Sequence, residues 1–228
     1  MSITATITQI ERLTEHVFAL QIRPAEPLSY APGQWLSLGL PVGPRPPTKR
    51  IYSMASPMRA DGAIQLIFDH VAEGIGSTYL AGLKVGDTLD IINSMGNFVL
   101  PEVLPDQLLF IARYTGLVPI FSMLKQLESS AYPGRIHLIY SSPTERERFF
   151  VKELEALKLG EFSMDLVDLQ SAQSPTPEAD LAVDFGSKIE QEDLFTFICG
   201  VRDLVRPTRK QLLESGFVRK QIRAERFN

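Results

Sequence analysis

The chain has 228 residues, 44% of them hydrophobic, and a formal net charge of −4. This charge excludes overall electrostatic attraction to nucleic acid, and the apolar runs are far shorter than the roughly 20 residues of a membrane helix. The single cysteine, Cys199, excludes an internal disulfide and a four-cysteine iron–sulfur cluster within the chain. A cytoplasmic globular protein with one large domain or two smaller ones is therefore expected.

Short alternating runs of apolar and polar residues fill the first part of the chain. The pattern over 1–8 is typical of a first strand and not of a signal peptide. Further strands are predicted at 16–23, 34–38, 64–71 and 88–92, each bounded by turn residues. This spacing predicts an antiparallel β-barrel or sandwich over residues 1–101.

The hydrophobic period changes after Pro105. Short apolar runs predict parallel strands, and they alternate with segments that have helical spacing. The predicted strands are 108–112, 136–140, 164–169 and 194–198, and the predicted helices are 119–127, 145–157 and 203–215. A polar loop is expected at 171–178. The alternation predicts a second, α/β domain over residues 105–228, built on a doubly wound parallel sheet.

One segment of the barrel part combines three useful side chains. On an extended strand Arg50 and Tyr52 share a face, and Ser53 follows directly. A guanidinium forks onto phosphate, an aromatic ring packs on a flat heterocycle, and a hydroxyl bonds to a ring nitrogen. A flavin nucleotide presents these groups together. A half-exposed sheet segment is the alternative interpretation of the same residues.

Other short motifs flank this segment, in a specific order. They are Pro32-Gly33-Gln34, Gly74-Ile75-Gly76-Ser77, Leu83-Lys84-Val85-Gly86-Asp87, Gly96-Asn97-Phe98, Cys199-Gly200 and Glu225-Arg226-Phe227. In these motifs and in Arg50-Ile51-Tyr52-Ser53 the chain resembles the ferredoxin–NADP reductase family along nearly all of its length. The resemblance implies a flavin-binding barrel followed by a nicotinamide nucleotide-binding α/β domain, without an iron–sulfur domain.

The resemblance also implies a role for individual residues. Arg50 would pair with the flavin phosphate, Tyr52 would pack on the isoalloxazine, and Ser53 would lie near flavin N5. The remaining expected flavin contacts are Ile51, Phe68, His70, Gly76, Ser77 and Phe227. Members without an iron–sulfur cluster mostly use FAD, so FAD is expected in preference to FMN, and no metal is expected.

The expected nicotinamide site lies in the second domain. Its residues are Arg113, Thr115, Gly116, Ser141, Cys199 and Gly200, and Ser53, Cys199 and Glu225 form the expected catalytic set. The family's glycine-rich nucleotide loop reads Arg113-Tyr114-Thr115-Gly116 here. Because two large side chains replace a glycine pair, Tyr114 could fill the dinucleotide space, or Arg113 could bind a phosphate instead.

The expected function is electron transfer between NAD(P)H and a one-electron carrier. Basic residues in the last quarter of the chain would attract an acidic ferredoxin or flavodoxin. A reductase of free flavin or of another small acceptor is one alternative. A flavin-binding electron-transfer or regulatory subunit without nicotinamide binding is the other. The choice between NADH and NADPH, the electron acceptor and the oligomeric state stay open.

Overall fold

A computed structural model describes residues 2–190 and 193–227. Its first six strands form one antiparallel sheet in the order β4-β3-β6-β1-β2-β5. Met54 bridges Leu66, and the Ala55 N–H donates to the Gln65 carbonyl at 2.8 Å, so the sheet closes on itself. The predicted antiparallel barrel is confirmed. Its elements are β1 Ile3–Arg12, β2 Val17–Pro24, β3 Trp35–Leu40, β4 Thr48–Ser53, β5 Ile64–Asp69, α1 Ile75–Ala81 and β6 Thr88–Met95.

The second half of the chain builds a five-stranded parallel sheet in the order β11-β10-β7-β8-β9. The chain runs outward from β7 to β9 and then returns to β10, so the strand order reverses between β7 and β10. This confirms the doubly wound sheet. Its elements are β7 Gln107–Arg113, α2 Leu117–Ser129, β8 Arg135–Ser142, α3 Val151–Glu155, β9 Glu161–Asp168, α4 Pro177–Gly186, β10 Leu194–Val201, α5 Arg202–Glu214 and β11 Ile222–Phe227.

The helix predicted at 145–157 is wrong over much of its length. A 3₁₀ turn covers Glu145–Glu147, and the α-helix begins only at Val151, after Phe150 adopts a left-handed φ of 63°. The break lets Phe149 leave the helical path and pack edge-on against Tyr140, with ring centroids 6.1 Å apart. Burial of this ring therefore overrides the helical pattern.

Two elements lie where the sequence predicts none. Helix α4 starts with Pro177 at its first position, inside the stretch expected to be a loop, and β11 adds a fifth parallel strand. Helix α2 begins at Leu117, two residues before Pro119, the expected first residue. In the described parts of the chain, no helix is both long and apolar enough to cross a membrane.

One hydrophobic core continues from the barrel into the α/β half. Val17, Ala19, Ala55, Ile67 and Phe98 belong to the same buried cluster as the side chains under α2. At the junction the Phe98 ring meets Phe197 edge-on, with centroids 5.5 Å apart. The contact between the two halves is therefore packed like a protein interior. The domain limits 1–101 and 105–228 stay a prediction.

Gly33 lies at this junction, and its substitution can test how tightly the junction is packed. Its φ is +96°, and a Cβ there would lie 2.0 Å from the Phe98 carbonyl oxygen and 2.3 Å from Met123 Cε. Gly33→Ala is expected to lower the free energy of unfolding by about 2–5 kcal/mol, from backbone strain and overpacking together. Urea denaturation measures this loss.

Gly62 provides the matched control, because its φ is +70° and no other atom lies within 4 Å of the place that a Cβ would take. Gly62→Ala should lose only the backbone part, about 1–2 kcal/mol. Equal losses in the two variants would contradict a tightly packed junction.

Candidate functional site

A crevice of about 620 Å³ separates the barrel from the carboxyl ends of the parallel strands. Residues from β3, β4 and β5 form one wall, and the segments after β7, β8, β9 and β10 form the other, with β11. The lining residues are Trp35, Ile51, Tyr52, Ser53, Ile67, Phe68, Asp69, Val71, Arg113, Tyr114, Thr115, Val118, Pro143, Leu169, Val201, Glu225, Arg226 and Phe227. The crevice thus lies where doubly wound sheets hold ligands.

The barrel wall presents an aromatic ring beside a hydroxyl. Tyr52 packs edge-on against Phe68, with centroids 5.9 Å apart, and burial raises the pKa of Tyr52 to about 12, so the phenol stays neutral. Ser53 is only 6% exposed, and among the described residues its hydroxyl has no hydrogen-bond partner. Ile51 stands at the rim with 58% of its surface exposed. A flat polar ring placed here would meet both an aromatic surface and a free hydroxyl.

A phosphate-sized group has suitable neighbours at one end of this wall. Arg50 is exposed, and its guanidinium donates only to the Lys49 carbonyl, at 2.9 Å, among the described residues. A Cβ on Gly76 would lie 3.0 Å from Arg50 Cγ and 3.2 Å from Tyr52 Oη. Glycine therefore lets the start of α1 lie directly against these two side chains.

Ser77 and His70 contact other protein groups and do not line the crevice. The Ser77 hydroxyl accepts from the Val71 N–H at 3.1 Å and lies 3.2 Å from the Gly74 carbonyl oxygen, so it fixes the loop before α1. The His70 ring packs edge-on against Phe18, and its Nε2 lies 3.5 Å from the Thr78 hydroxyl. Neither residue lines the crevice, and their flavin contacts stay predictions.

Arg113 is held by a buried carboxylate on the opposite wall. Its Nε and Nη2 donate to the two oxygens of Glu178, each at 2.7 Å, and the Glu178 side chain is fully buried. The Ser141 hydroxyl donates to the same carboxylate. Two of the five N–H donors of Arg113 are therefore already used and its charge is balanced, which weakens its attraction for a nucleotide phosphate. The predicted nucleotide contacts of Arg113 and Ser141 stay predictions.

The remaining residues expected at the nicotinamide site lie at the ends of β7 and β10. Thr115 lines the crevice. A Cβ on Gly116 would lie 2.1 Å from the Cys199 carbonyl oxygen, so this glycine serves close packing of the loop on β10. Gly200 has a φ of +155° and lies against Arg113. The structure brings these residues together, but it leaves little room between the loop and β10.

Glu225 is a partly buried acid of this wall, and its pKa is shifted towards neutral pH. It lies beside Cys199 in the β10–β11 register, and burial raises the pKa of its carboxyl to about 7. Its Oε1 is buried without a hydrogen-bond partner in the described chain. Burial, reinforced by the charge of Glu225, raises the pKa of the Cys199 thiol well above its usual value, so this thiol stays protonated. Phe227 follows at the mouth of the crevice.

Known proteins are similar to this chain in sequence and in fold. Residues 4–100 match a family model described as an oxidoreductase FAD-binding domain. Ferredoxin–NADP reductase B of Sorangium cellulosum is 29% identical over 211 residues, which cover 86% of this chain and 84% of that protein. The chain is therefore similar to ferredoxin–NADP reductases over most of its length. The match to the FAD-binding model also confirms FAD as the expected cofactor.

Two further similarities define the extent of the likeness. The ferredoxin reductase component of 3-ketosteroid-9-alpha-monooxygenase from Rhodococcus rhodochrous is 26% identical over 230 residues, which cover 100% of this chain. The chain spans 64% of the length of that relative. The ferredoxin–NADP⁺ reductase of Plasmodium falciparum superposes with a TM-score of 0.83 at 21% identity, over 99% of this chain and 96% of that one. This superposition shows the fold alone.

The residues present in this chain fit a flavin. The crevice offers the surface of Tyr52 and the hydroxyl of Ser53, which has no partner in the described parts of the chain. The exposed guanidinium of Arg50 lies outside the crevice lining, beside Tyr52 and Gly76. This donor set matches a ring with polar edge atoms that carries a phosphate tail.

Sequence reasoning missed several residues of the crevice. Trp35 lines the crevice and directly follows the Pro32-Gly33-Gln34 motif. Its place beside this motif could have indicated that it belongs to the site. Asp69 and Leu169 are brought in only by the fold. Glu178 is 65 residues from Arg113 along the chain, so no local pattern reveals their pairing.

The buried ion pair leads to a stability prediction. Glu178→Gln leaves the Arg113 guanidinium, whose side chain is 14% exposed, without a counter-charge. We expect the free energy of unfolding to fall by about 3–5 kcal/mol. Urea denaturation of the two proteins measures the change.

Glu161→Gln is the control, since Glu161 pairs with Arg135 across side chains that are 67% and 48% exposed. Its loss should stay below about 1 kcal/mol. If Glu178→Gln were as mild as Glu161→Gln, the ion pair would not hold the loop after β7.

Proposed function

We propose that this chain is an FAD-dependent oxidoreductase that transfers electrons between NAD(P)H and a one-electron carrier such as a ferredoxin or flavodoxin. One observation carries the proposal: the crevice places Tyr52 and Ser53 of the FAD-binding part opposite Thr115 and Glu225, at the carboxyl ends of the parallel strands. Two flat rings, one held by each wall, would face each other there. Such stacking positions reacting atoms for hydride transfer.

The barrel residues would bind and orient the flavin. Arg50 would pair with a phosphate, the N–H groups at the start of α1 near Gly76 would support it, and Tyr52 would pack on the ring. Ser53 would place its free hydroxyl at the polar edge of the ring. Bound FAD would supply the redox chemistry that links two-electron donors to one-electron acceptors.

The other wall would receive the nicotinamide nucleotide. Thr115, Gly116, Cys199 and Gly200 would contact it at the ends of β7 and β10. Glu225 would hold or release a proton beside the crevice, because its pKa of about 7 lies near neutral pH. The Cys199 thiol is fully buried in the core, so it would stay neutral behind the site and only the backbone at Cys199 would lie near the nucleotide.

A surface next to the crevice supports an acidic carrier as the partner. Helix α5 starts at Arg202, directly after Val201 of the crevice wall, and exposes several cations. The exposed cations in the first turns of this helix are Arg202 and Arg206. Opposite charge would steer an acidic ferredoxin or flavodoxin towards the flavin. A reducing cytoplasm would suit the single, free cysteine.

A second function is favoured by the loop after β7. Arg113 is occupied by Glu178, and Tyr114 stands in the crevice where the family has glycine. The chain would then be a flavin-binding electron-transfer subunit that accepts electrons from another protein. Reduction of free flavin or another small acceptor is the third arrangement, in which the cations of α5 would have no role.

Anaerobic spectroscopy tests the proposal. The protein, saturated with FAD, is mixed separately with NADH and NADPH, and the visible flavin absorption is followed, with dithionite as the control for a reducible flavin. We expect one nucleotide to bleach the bound flavin, and the reduced protein then to pass electrons to an added ferredoxin or flavodoxin.

Each other result has a distinct meaning. Flavin bleached by dithionite but by neither nucleotide would contradict the NAD(P)H half of the proposal and favour the electron-transfer subunit. Rapid transfer to free flavin, with none to the carrier proteins, would favour the small-acceptor reductase.

A further inference from the structure

Tyr114 connects the two halves of the molecule through its hydroxyl. The hydroxyl lies 3.0 Å from Glu147 Oε2, in the turn after β8, and 3.4 Å from Asp69 Oδ1, at the end of β5 in the barrel. The Thr14 hydroxyl, also in the barrel, donates to the same Glu147 oxygen at 2.7 Å. Four polar side chains therefore bridge the crevice next to its opening.

Burial strengthens this bridge. Burial raises the pKa of Asp69, and the hydrogen bond from Tyr114 opposes that shift. Burial and the two nearby carboxylates raise the pKa of Tyr114, so its hydroxyl stays a donor. One neutral donor between two acids is a charge-assisted contact, and its loss would leave the acids facing each other.

The backbone of Tyr114 is held in an unfavourable conformation. Its φ is +54°, in the left-handed region that residues other than glycine rarely adopt. The ring packs edge-on near Phe149, with centroids 6.4 Å apart. Strain of this kind persists where side-chain contacts compensate for it, and it often marks a position that moves in function.

Tyr114 lines the crevice that the flavin wall and the proposed nicotinamide site share. Tyr114 shares the crevice with Ser53 on one side, and it directly precedes Thr115 on the other. A nicotinamide ring that enters this crevice from the ends of β7 and β10 would share it with this side chain. The closed position of Tyr114 therefore restricts the path of the nucleotide.

We propose that Tyr114 is a gate for the nicotinamide nucleotide, held closed by its hydroxyl, whose single proton is donated to Glu147 or to Asp69. The gate rests on the proposed function and refines it by making Tyr114 a positioning residue. The nucleotide reaches the flavin only in molecules where this hydrogen bond is broken and Tyr114 has turned aside. The apparent nucleotide affinity is therefore reduced by the fraction of molecules that are open.

Tyr114→Phe tests the gate because it removes the hydroxyl and keeps the ring. Loss of a hydrogen bond to charged partners should raise the open fraction and lower the KM for the reducing nucleotide about tenfold. The limiting rate of flavin reduction should not fall. A residue that merely shaped the site would instead lower the limiting rate and leave KM unchanged or higher.

A second readout does not depend on the flavin. Hydrogen exchange of the FAD-free protein is compared over residues 69–71 and 145–149, the two segments that contain the partners of the Tyr114 hydroxyl. Tyr114→Phe should exchange faster in both. Tyr132→Phe is the matched control, because the Tyr132 hydroxyl donates to the Pro105 carbonyl at the opposite edge of the sheet, and it should change neither exchange nor KM.

The outcomes separate the gate from the proposed function. If Tyr114→Phe matches Tyr132→Phe in KM and in exchange while the flavin of both variants is reduced, the gate is overturned and the proposed function stands. If neither nucleotide reduces the flavin in wild type or in Tyr114→Phe, the proposed function fails. If Tyr114→Phe then still exchanges faster than wild type, the Tyr114 hydroxyl joins the two halves of the molecule but does not act as a gate.

Discussion

The packed junction between the barrel and the parallel sheet is the constraint on which the site depends. Phe98 leaves the barrel and meets Phe197 on β10, while Gly33 fits between Phe98 and Met123 of α2 without room for a side chain. Because interiors of this density deform little, the junction fixes the end of β4 opposite the ends of β7 and β10. The crevice is therefore a consequence of core packing, and its width is set away from the residues that line it.

The two walls of the crevice differ in the state of their polar groups. On the barrel wall, and within the residues that the structure describes, the Ser53 hydroxyl has no hydrogen-bond partner and Arg50 uses only one of its donors, so both side chains can accept a ligand. On the other wall Arg113 is already neutralised by Glu178, and Tyr114 is already bonded across the crevice. In the proposed arrangement a flavin would meet free donors on the barrel wall, whereas a nicotinamide nucleotide would compete with existing contacts on the other wall. The two walls therefore differ in what a ligand must displace: the barrel wall has free donors, and the other wall must first give up contacts that it already makes.

The sequence predicted those parts of the molecule whose signals are local. Arg50, Tyr52 and Ser53 lie together on one strand, and periodicity is enough to separate a barrel from a parallel sheet. The helix expected at 145–157 failed because burial of Phe149 against Tyr140 outweighs helical spacing. Glu178 and Asp69 were missed because their partners, Arg113 and Tyr114, are 65 and 45 residues away, and only the fold brings them together.

The central claim is that the end of β4 is the flavin site, with Arg50 on a phosphate. Its most direct test is the dissociation constant of FAD and of riboflavin, which lacks phosphate, for Arg50→Gln and for the neighbouring control Lys49→Gln. Loss of a charge-assisted contact predicts FAD binding weaker by about tenfold or more in Arg50→Gln, with riboflavin binding unchanged. Equal FAD affinity in the two variants, or an equal loss for both ligands in Arg50→Gln, would contradict the account.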